Sequence, residues 1–302
     1  MRLFDRAVVR VLPVVPRSVV RRVASPYIAG STLADARRVV GSLNAEGVRA
    51  TVDVLGEEIS RPEEAEAIAR AYRDALAAIS EDGLDANISI KLTGFGLKLD
   101  EALCRELVVG LVADAGGRGI FVRLDMEDSS TTDATLELYR ALRTAGHEGV
   151  GVVLQAALRR TLADIEALAP LEPSVRLCKG IYLEPPSVAY QGFDEVRSSF
   201  VDCLDALLES AGRVAIATHD EWLIEQALER VVGISRARYE MQMLLGVRAD
   251  RARRLVADGH PLRIYVPYGE QWYEYSLRRL QENPKVAGYV AKDVLSRLLP
   301  GR

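Results

Sequence analysis

A chain of 302 residues that is 49% hydrophobic and 27% charged holds ample apolar material for one large globular core. Its net charge of −4 argues against nucleic acid as a partner, and no uncharged apolar run approaches the roughly 20 residues needed to span a bilayer. The three cysteines, Cys104, Cys178 and Cys203, are isolated, so they suggest neither a disulfide framework nor a zinc site. They fit a reducing compartment such as the cytoplasm.

Residues 1–24 interleave six arginines (Arg2, Arg6, Arg10, Arg17, Arg21 and Arg22) with Leu, Val and Phe, leaving no clean apolar segment ahead of a cleavage site. Two readings stay open. One is a helical arm packed on the rest of the protein; the other is a peripheral arm, basic on one side and apolar on the other, touching the inner face of the cell membrane. The arm is read over residues 1–45, and one domain over 46–302.

From about residue 48, short β-branched apolar runs alternate with segments of helical periodicity. The predicted strands are Val48–Leu55, Ile88–Leu92, Ile120–Met126, Val150–Gln155, Val175–Cys178, Val214–Ala217, Tyr239–Met243 and Leu262–Val266. Helices are predicted between them at Glu63–Ala78, Ala102–Ala115, Thr132–Ala145, Leu162–Leu168, Phe193–Ser210 and Leu223–Val232. The runs read as apolar nearly throughout, as strands buried on both faces do, which points to a parallel sheet covered by helices. Repeated βα units specify an α/β fold, a closed (β/α)₈ barrel, more naturally than an open sheet.

Barrel enzymes work where strands end. The polar residues at those ends are Lys91, Asp125 with Glu127 and Asp128, Gln155, Arg176 with Lys179, Thr218 with His219, Gln242, and Tyr265. Their convergence on one rim points to an enzyme. Each has a bland alternative. Lys91 can bind an anion, form a Schiff base in an aldolase-like lyase, or pair with Asp125; Lys179 shares the lyase reading. Asp128 reads as a helix cap. The alternation of strand faces puts Arg176 with Cys178 and Leu177 with Lys179. His219 is the one histidine of three at a strand end, whereas His147 and His260 fall in glycine-flanked loops. No second ligand accompanies it, so no metal is expected. Arg278 and Arg279 project about 100° apart on a helix and can share one small carboxylate along their seam, or belong to a solvated basic face.

Seven segments in order resemble the proline dehydrogenase family, including the proline-oxidising domain of the bifunctional bacterial enzyme. They are Ser89-Ile-Lys-Leu-Thr, Arg123-Leu-Asp-Met-Glu-Asp-Ser, Gly151-Val-Val-Leu-Gln-Ala, Arg176-Leu-Cys-Lys-Gly-Ile-Tyr, Ala217-Thr-His-Asp, Tyr239-Glu-Met-Gln-Met-Leu-Leu-Gly, and Tyr265-Val-Pro-Tyr-Gly with Arg278-Arg-Leu-Gln-Glu-Asn. The resemblance implies a distorted (β/α)₈ barrel that binds FAD at its mouth, with a final helix over the opening, and that oxidises L-proline to 1-pyrroline-5-carboxylate. It implies that Lys91, Arg278 and Arg279 bind the proline carboxylate and that Tyr265 packs on the ring. Asp125 would orient Lys91 and Tyr265, and Arg176 would lie near the flavin N5. Met126, Gln155, Lys179, Gly180, Ile181, Thr218, His219 and Gln242 fall at FAD-contacting positions, with Ile181 departing from the alanine expected there. A quinone acceptor and a separate 1-pyrroline-5-carboxylate dehydrogenase downstream are further implications.

Overall fold

The computed structural model describes residues 25–56 and 59–273. Residues 1–24 of the expected arm, together with Arg278, Arg279 and the final helix expected to carry them, lie outside that range. Eight strands close in sequence order into one parallel barrel. They are β1 (Arg49–Val54), β2 (Ala86–Ile90), β3 (Val122–Leu124), β4 (Val150–Gln155), β5 (Ser174–Cys178), β6 (Arg213–Ala217), β7 (Tyr239–Leu244) and β8 (Leu262–Tyr268). Closure is made by β1 against β8, in register from Arg49 opposite Arg263 to Val54 opposite Tyr268.

The outer ring comprises α1 (Leu33–Ala45), α2 (Pro62–Glu81), α3 (Glu101–Gly117), α4 (Thr132–Thr144), α5 (Thr161–Leu168), α6 (Phe193–Ser210), α7 (Glu221–Arg230) and α8 (Ala249–Ala257). Their starts are written locally. Thr32 and Asp35 form a capping box at α1, Pro62 opens α2 where its missing N–H costs nothing, and Asp100 caps α3 by accepting from Leu103 N. The expected (β/α)₈ architecture is the one observed.

The strands differ from their reading in one instructive way. They are not apolar on both faces but alternate with period two, as residues on a pleated strand do. Val52, Ile88, Leu124, Val152, Leu177 and Ile216 are buried in the large apolar core beneath the helices, where α2 adds Tyr72 and Leu76 and α3 adds Val108 and Leu111. The intervening positions carry Thr51, Asp53, Asn87, Ser89, Arg123, Arg176, Glu240, Gln242 and Arg263, all buried and polar.

Such a lumen is tolerable only because its charges are paired or hydrogen-bonded. At the end remote from the catalytic rim, Glu240 accepts from Arg263 Nε at 2.9 Å and Arg213 Nη2 at 2.7 Å, with Arg49 Nη1 at 3.6 Å. Burial alone would raise the Glu240 carboxyl, but Arg263 and Arg213 outweigh it and hold it at about 2. Arg123 donates to the carbonyls of Val152 (3.1 Å) and Ser174 (2.5 Å) and lies 4.8 Å over the Phe121 ring. Burial and the neighbouring Arg176 push its guanidinium down to about 9.

Candidate active site

Asp125 directly follows β3, its N–H bonded to the Ile90 carbonyl of β2 at 2.8 Å. That bond sets the carboxylate at the centre of the lumen. Oδ1 accepts from Ser89 Oγ and from Arg176 Nη1, each at 2.6 Å, and Oδ2 accepts from the Tyr265 hydroxyl at 2.8 Å. Lys91 Nζ approaches Asp125 only to 3.8 Å. Among the described residues it donates to Asp53 Oδ1 at 2.9 Å and Tyr265 Oη at 3.3 Å. Two cations approach the Tyr265 ring, with Lys91 Nζ 5.8 Å and the Arg176 guanidinium 5.3 Å from its centroid.

Arg176 is fixed from a second side. Its Nε donates to Gln242 Oε1 at 2.6 Å, while Gln242 Nε2 donates to Glu240 Oε1 at 2.6 Å. A carboxylate on one side and a guanidinium on the other leave the amide one sensible orientation. Arg176 Nη2, in contrast, is buried and has no hydrogen-bond partner among the described residues. Four residues expected at the site, Lys91, Asp125, Arg176 and Tyr265, are therefore brought together, with Gln242 behind them.

The other expected positions lie around the rim between the ends of β3 and β7. Gln155 Nε2 donates to the carbonyls of Met126 (3.1 Å) and Glu127 (2.7 Å), tying β4 to the β3 loop. Gly180 has φ of 95°, and a Cβ there would lie 2.7 Å from Gln155 Oε1. Gly180→Ala should therefore cost on the order of 1–2 kcal/mol from the left-handed backbone alone, before Gln155 is displaced. Urea denaturation of the two proteins measures this, and equal midpoints would mean that the turn readjusts freely.

Lys179 donates to Asp220 Oδ2 at 2.5 Å, and Arg197 binds the same carboxylate with Nη2 at 2.6 Å. Burial would raise the Asp220 carboxyl, but Arg197 and Lys179 hold it well below the usual range. Asp220 also caps α7 through Trp222 N, and its own N–H bonds to Thr218 Oγ1 at 3.2 Å. His219 Nε2 accepts from Leu244 N at 2.9 Å, which fixes its ring against β7. Ile181 is 46% exposed at the rim. An amine engaged as an ammonium donor has no lone pair with which to attack a carbonyl. The ion pairs of Lys91 and Lys179 thus work against the lyase reading.

Several contributors escaped the sequence reading. Asp53, Ser89 and Glu240 sit at inward positions inside runs read as apolar, and their signal was the period-two interruption itself. Glu127 is buried and accepts from both Thr93 N (2.9 Å) and Thr93 Oγ1 (2.5 Å). Asp128 caps the turn Ser129–Thr131 as expected. His260, in its loop, is tied to β7, its Nδ1 lying 2.8 Å from the Tyr239 hydroxyl. Cys178 is half-buried, and burial pushes its thiol up to about 11, an unreactive value.

A (β/α)₈ barrel with a buried acid–base network at the C-terminal ends of its strands defines a barrel enzyme. The family model described as proline dehydrogenase matches residues 36–292. Proline dehydrogenase 1 of Bacillus subtilis subsp. natto is 36% identical over 276 residues, covering 91% of each chain. The proline dehydrogenase of Deinococcus radiodurans is 36% identical over 278 residues, covering 90% of each. The chain belongs to the proline dehydrogenase family. Among solved structures, proline utilization A (PutA) from Bdellovibrio bacteriovorus, inactivated by N-propargylglycine, superposes with a TM-score of 0.80 at 23% identity. The match covers 86% of this chain and 32% of that one, and bears on the fold.

Proposed function

We propose that the protein oxidises L-proline to 1-pyrroline-5-carboxylate with FAD as the hydride acceptor, passing electrons on to a quinone. The observation that carries this reading is the Asp125-centred network beside the unspent, buried N–H of Arg176 Nη2. A buried donor without a partner is costly, and an aromatic ring system with acceptor nitrogens and oxygens satisfies it. The rim at Gly180 suits the same group, since any side chain there would fill the approach to Gln155. The residues present therefore fit a flavin, held by Met126, Gln155, Lys179, Gly180, Ile181, Thr218, His219 and Gln242. Bound FAD would supply a two-electron acceptor that no side chain provides.

The chain's own residues do the rest. Lys91, with Arg278 and Arg279, would bind the proline carboxylate. Tyr265 would pack against the pyrrolidine ring, its hydroxyl held by Asp125 so that the ring face does not drift. Hydride loss from the carbon beside nitrogen requires the neutral amine, whose lone pair stabilises the developing iminium. Cations clustered on the carboxylate disfavour the ammonium form through like-charge repulsion. Arg176 places a fixed positive charge at the lumen, an arrangement that stabilises electron-rich groups without reorganisation.

An absorbance spectrum of the purified protein, taken before and after anaerobic L-proline, tests the reading directly. Flavin absorption that bleaches is expected. A colourless protein that gains no flavin spectrum on reconstitution with FAD would overturn it.

Arg278→Ala and Arg279→Ala should each remove one charge-assisted carboxylate bond, about 1.5–3 kcal/mol, or roughly 10- to 150-fold in kcat/KM. Flavin content should persist. Loss of flavin with unchanged proline kinetics would make these arginines cofactor ligands. The product, a cyclic imine in equilibrium with its open aldehyde, calls for a separate 1-pyrroline-5-carboxylate dehydrogenase. Residues 1–24 remain the segment proposed for peripheral membrane contact; among the described residues no helix is long and apolar enough to cross a membrane.

A further inference from the structure

Lys91 is poised by a residue that the reading above does not use. Among the described residues its nearest carboxylate is not Asp125, at 3.8 Å, but Asp53 on β1, at 2.9 Å. Asp53 has 0% side-chain exposure, the lysine 16%. A carboxylate wholly buried at an inward strand position is among the more expensive placements a chain can make, and an apolar pair of similar volume is often no less stable. What the ion pair provides and an apolar pair does not is a cation of fixed direction. At 3.8 Å from Asp125 Oδ2, which accepts from Tyr265, the ammonium is attracted but lies beyond hydrogen-bond distance, so Asp125 does not aim it.

Asp53 is itself held from behind. Tyr72 belongs to α2, outside the barrel, yet its hydroxyl reaches between β1 and β2. It shares its one proton between the Ser89 carbonyl at 2.6 Å and Asp53 Oδ1 at 3.2 Å, and accepts from Val54 N at 3.2 Å. The β1–β2 ladder ends at Val52 opposite Ile88, so this phenol fastens the two strands just beyond their last pair. Helix, strand, carboxylate and ammonium form one rigid series. A lysine stem is flexible and rich in rotamers; anchoring its end in advance removes most of that ordering cost from ligand binding.

We propose that Asp53 is a positioning residue, clamped by Tyr72, that fixes the Lys91 ammonium for the substrate carboxylate. The proposal rests on the assignment of Lys91 as a carboxylate ligand. It predicts a selective defect: ligands with a ring carboxylate should suffer, and uncharged ligands of the same shape should not.

The test uses the flavin-loaded enzyme and two competitive probes, cyclopentanecarboxylate and cyclopentanecarboxamide. In the wild type the carboxylate should bind more tightly than the amide. If it does not, the assignment of Lys91 fails, and the failure is visible before any variant is made. Asp53→Asn should weaken the carboxylate by roughly ten-fold or more, the loss expected when a charge-assisted bond is degraded, and leave the amide within about two-fold. The KM for proline should rise with kcat changing less. In a Lys91→Met background Asp53→Asn should add nothing, because the group it positions is gone. Equal weakening of both probes, no weakening of either, or a full effect without the lysine each overturns the proposal. Should Asp53→Asn fail to fold, Tyr72→Phe retains both charges and removes the clamp along with the bonds to the Ser89 carbonyl and Val54 N. It should lower the carboxylate-to-amide preference by roughly three-fold, and an unchanged preference overturns the proposal equally.

Discussion

Replacing Asp125 with alanine will lower kcat/KM for proline by roughly 10²- to 10⁴-fold. One carboxylate receives Ser89 and Arg176 on Oδ1 and Tyr265 on Oδ2, and it is the second counter-charge to Lys91. Removing it leaves Arg176 buried without its ion-pair partner, and breaking a buried pair from one side costs about 3–5 kcal/mol. The released tyrosine and guanidinium should move, so part of the loss is misplacement of the ring face and of the fixed charge. Asp125→Asn separates these effects, because it keeps an oxygen for Arg176 while losing the charge. Steady-state kinetics of both variants, with flavin content measured alongside, decide the matter. An alanine variant that retains its flavin and stays within ten-fold of wild type would remove Asp125 from the machinery.

Arg176→Met is expected to reduce kcat by roughly 10²- to 10³-fold, the effect of deleting one preorganised donor at a developing charge. Methionine preserves most of the stem's volume, so the surrounding packing survives. Gln242 and Asp125 each lose a donor, and Asp125 retains Ser89 and Tyr265. The signature should be a slow reductive half-reaction in single-turnover experiments, with proline affinity altered less. A raised KM at unchanged kcat would instead make Arg176 a group that binds substrate and transition state alike.

Much of this arrangement was legible in the sequence because barrel strands carry two messages at period two. Their outward apolar positions announced all eight strands, and the polar residues that ended the runs announced the rim. Interior polar residues were harder to see. Asp53 in Thr-Val-Asp-Val-Leu and Glu240 in Tyr-Glu-Met-Gln interrupt runs that still score as hydrophobic, and pairing across the lumen, which is not local in sequence, makes them affordable. Strand ends also shifted where turn chemistry intervened. Ile120 closes the C-terminus of α3 by bonding to the Ala115 carbonyl, so β3 spans only Val122–Leu124. The helix α8 escaped prediction because its apolar stripe is slight: Leu255 is its one fully buried residue, with Ala252 and Val256 beside it in a segment otherwise rich in arginine.

The seam between β1 and β8 bears on when activity can arise during synthesis. The first strand made waits for the last, and the pairing that joins them also sets Tyr265 opposite Thr51 and brings it to Asp125 and Lys91. At about 5–20 residues per second, β1 and β2 spend many seconds on the ribosome with an open edge. The crossing is then sealed when Ala29 N bonds to the Pro267 carbonyl and Gly269 N to the Gly30 carbonyl. Lys91 and Asp53 can meet early, since they lie on neighbouring strands, whereas the Asp125–Tyr265 bond forms only after β8 has emerged. A nascent chain stalled before residue 262 should therefore be protease-sensitive along β1 and catalytically silent, and competence should appear in a single step once the ring is shut.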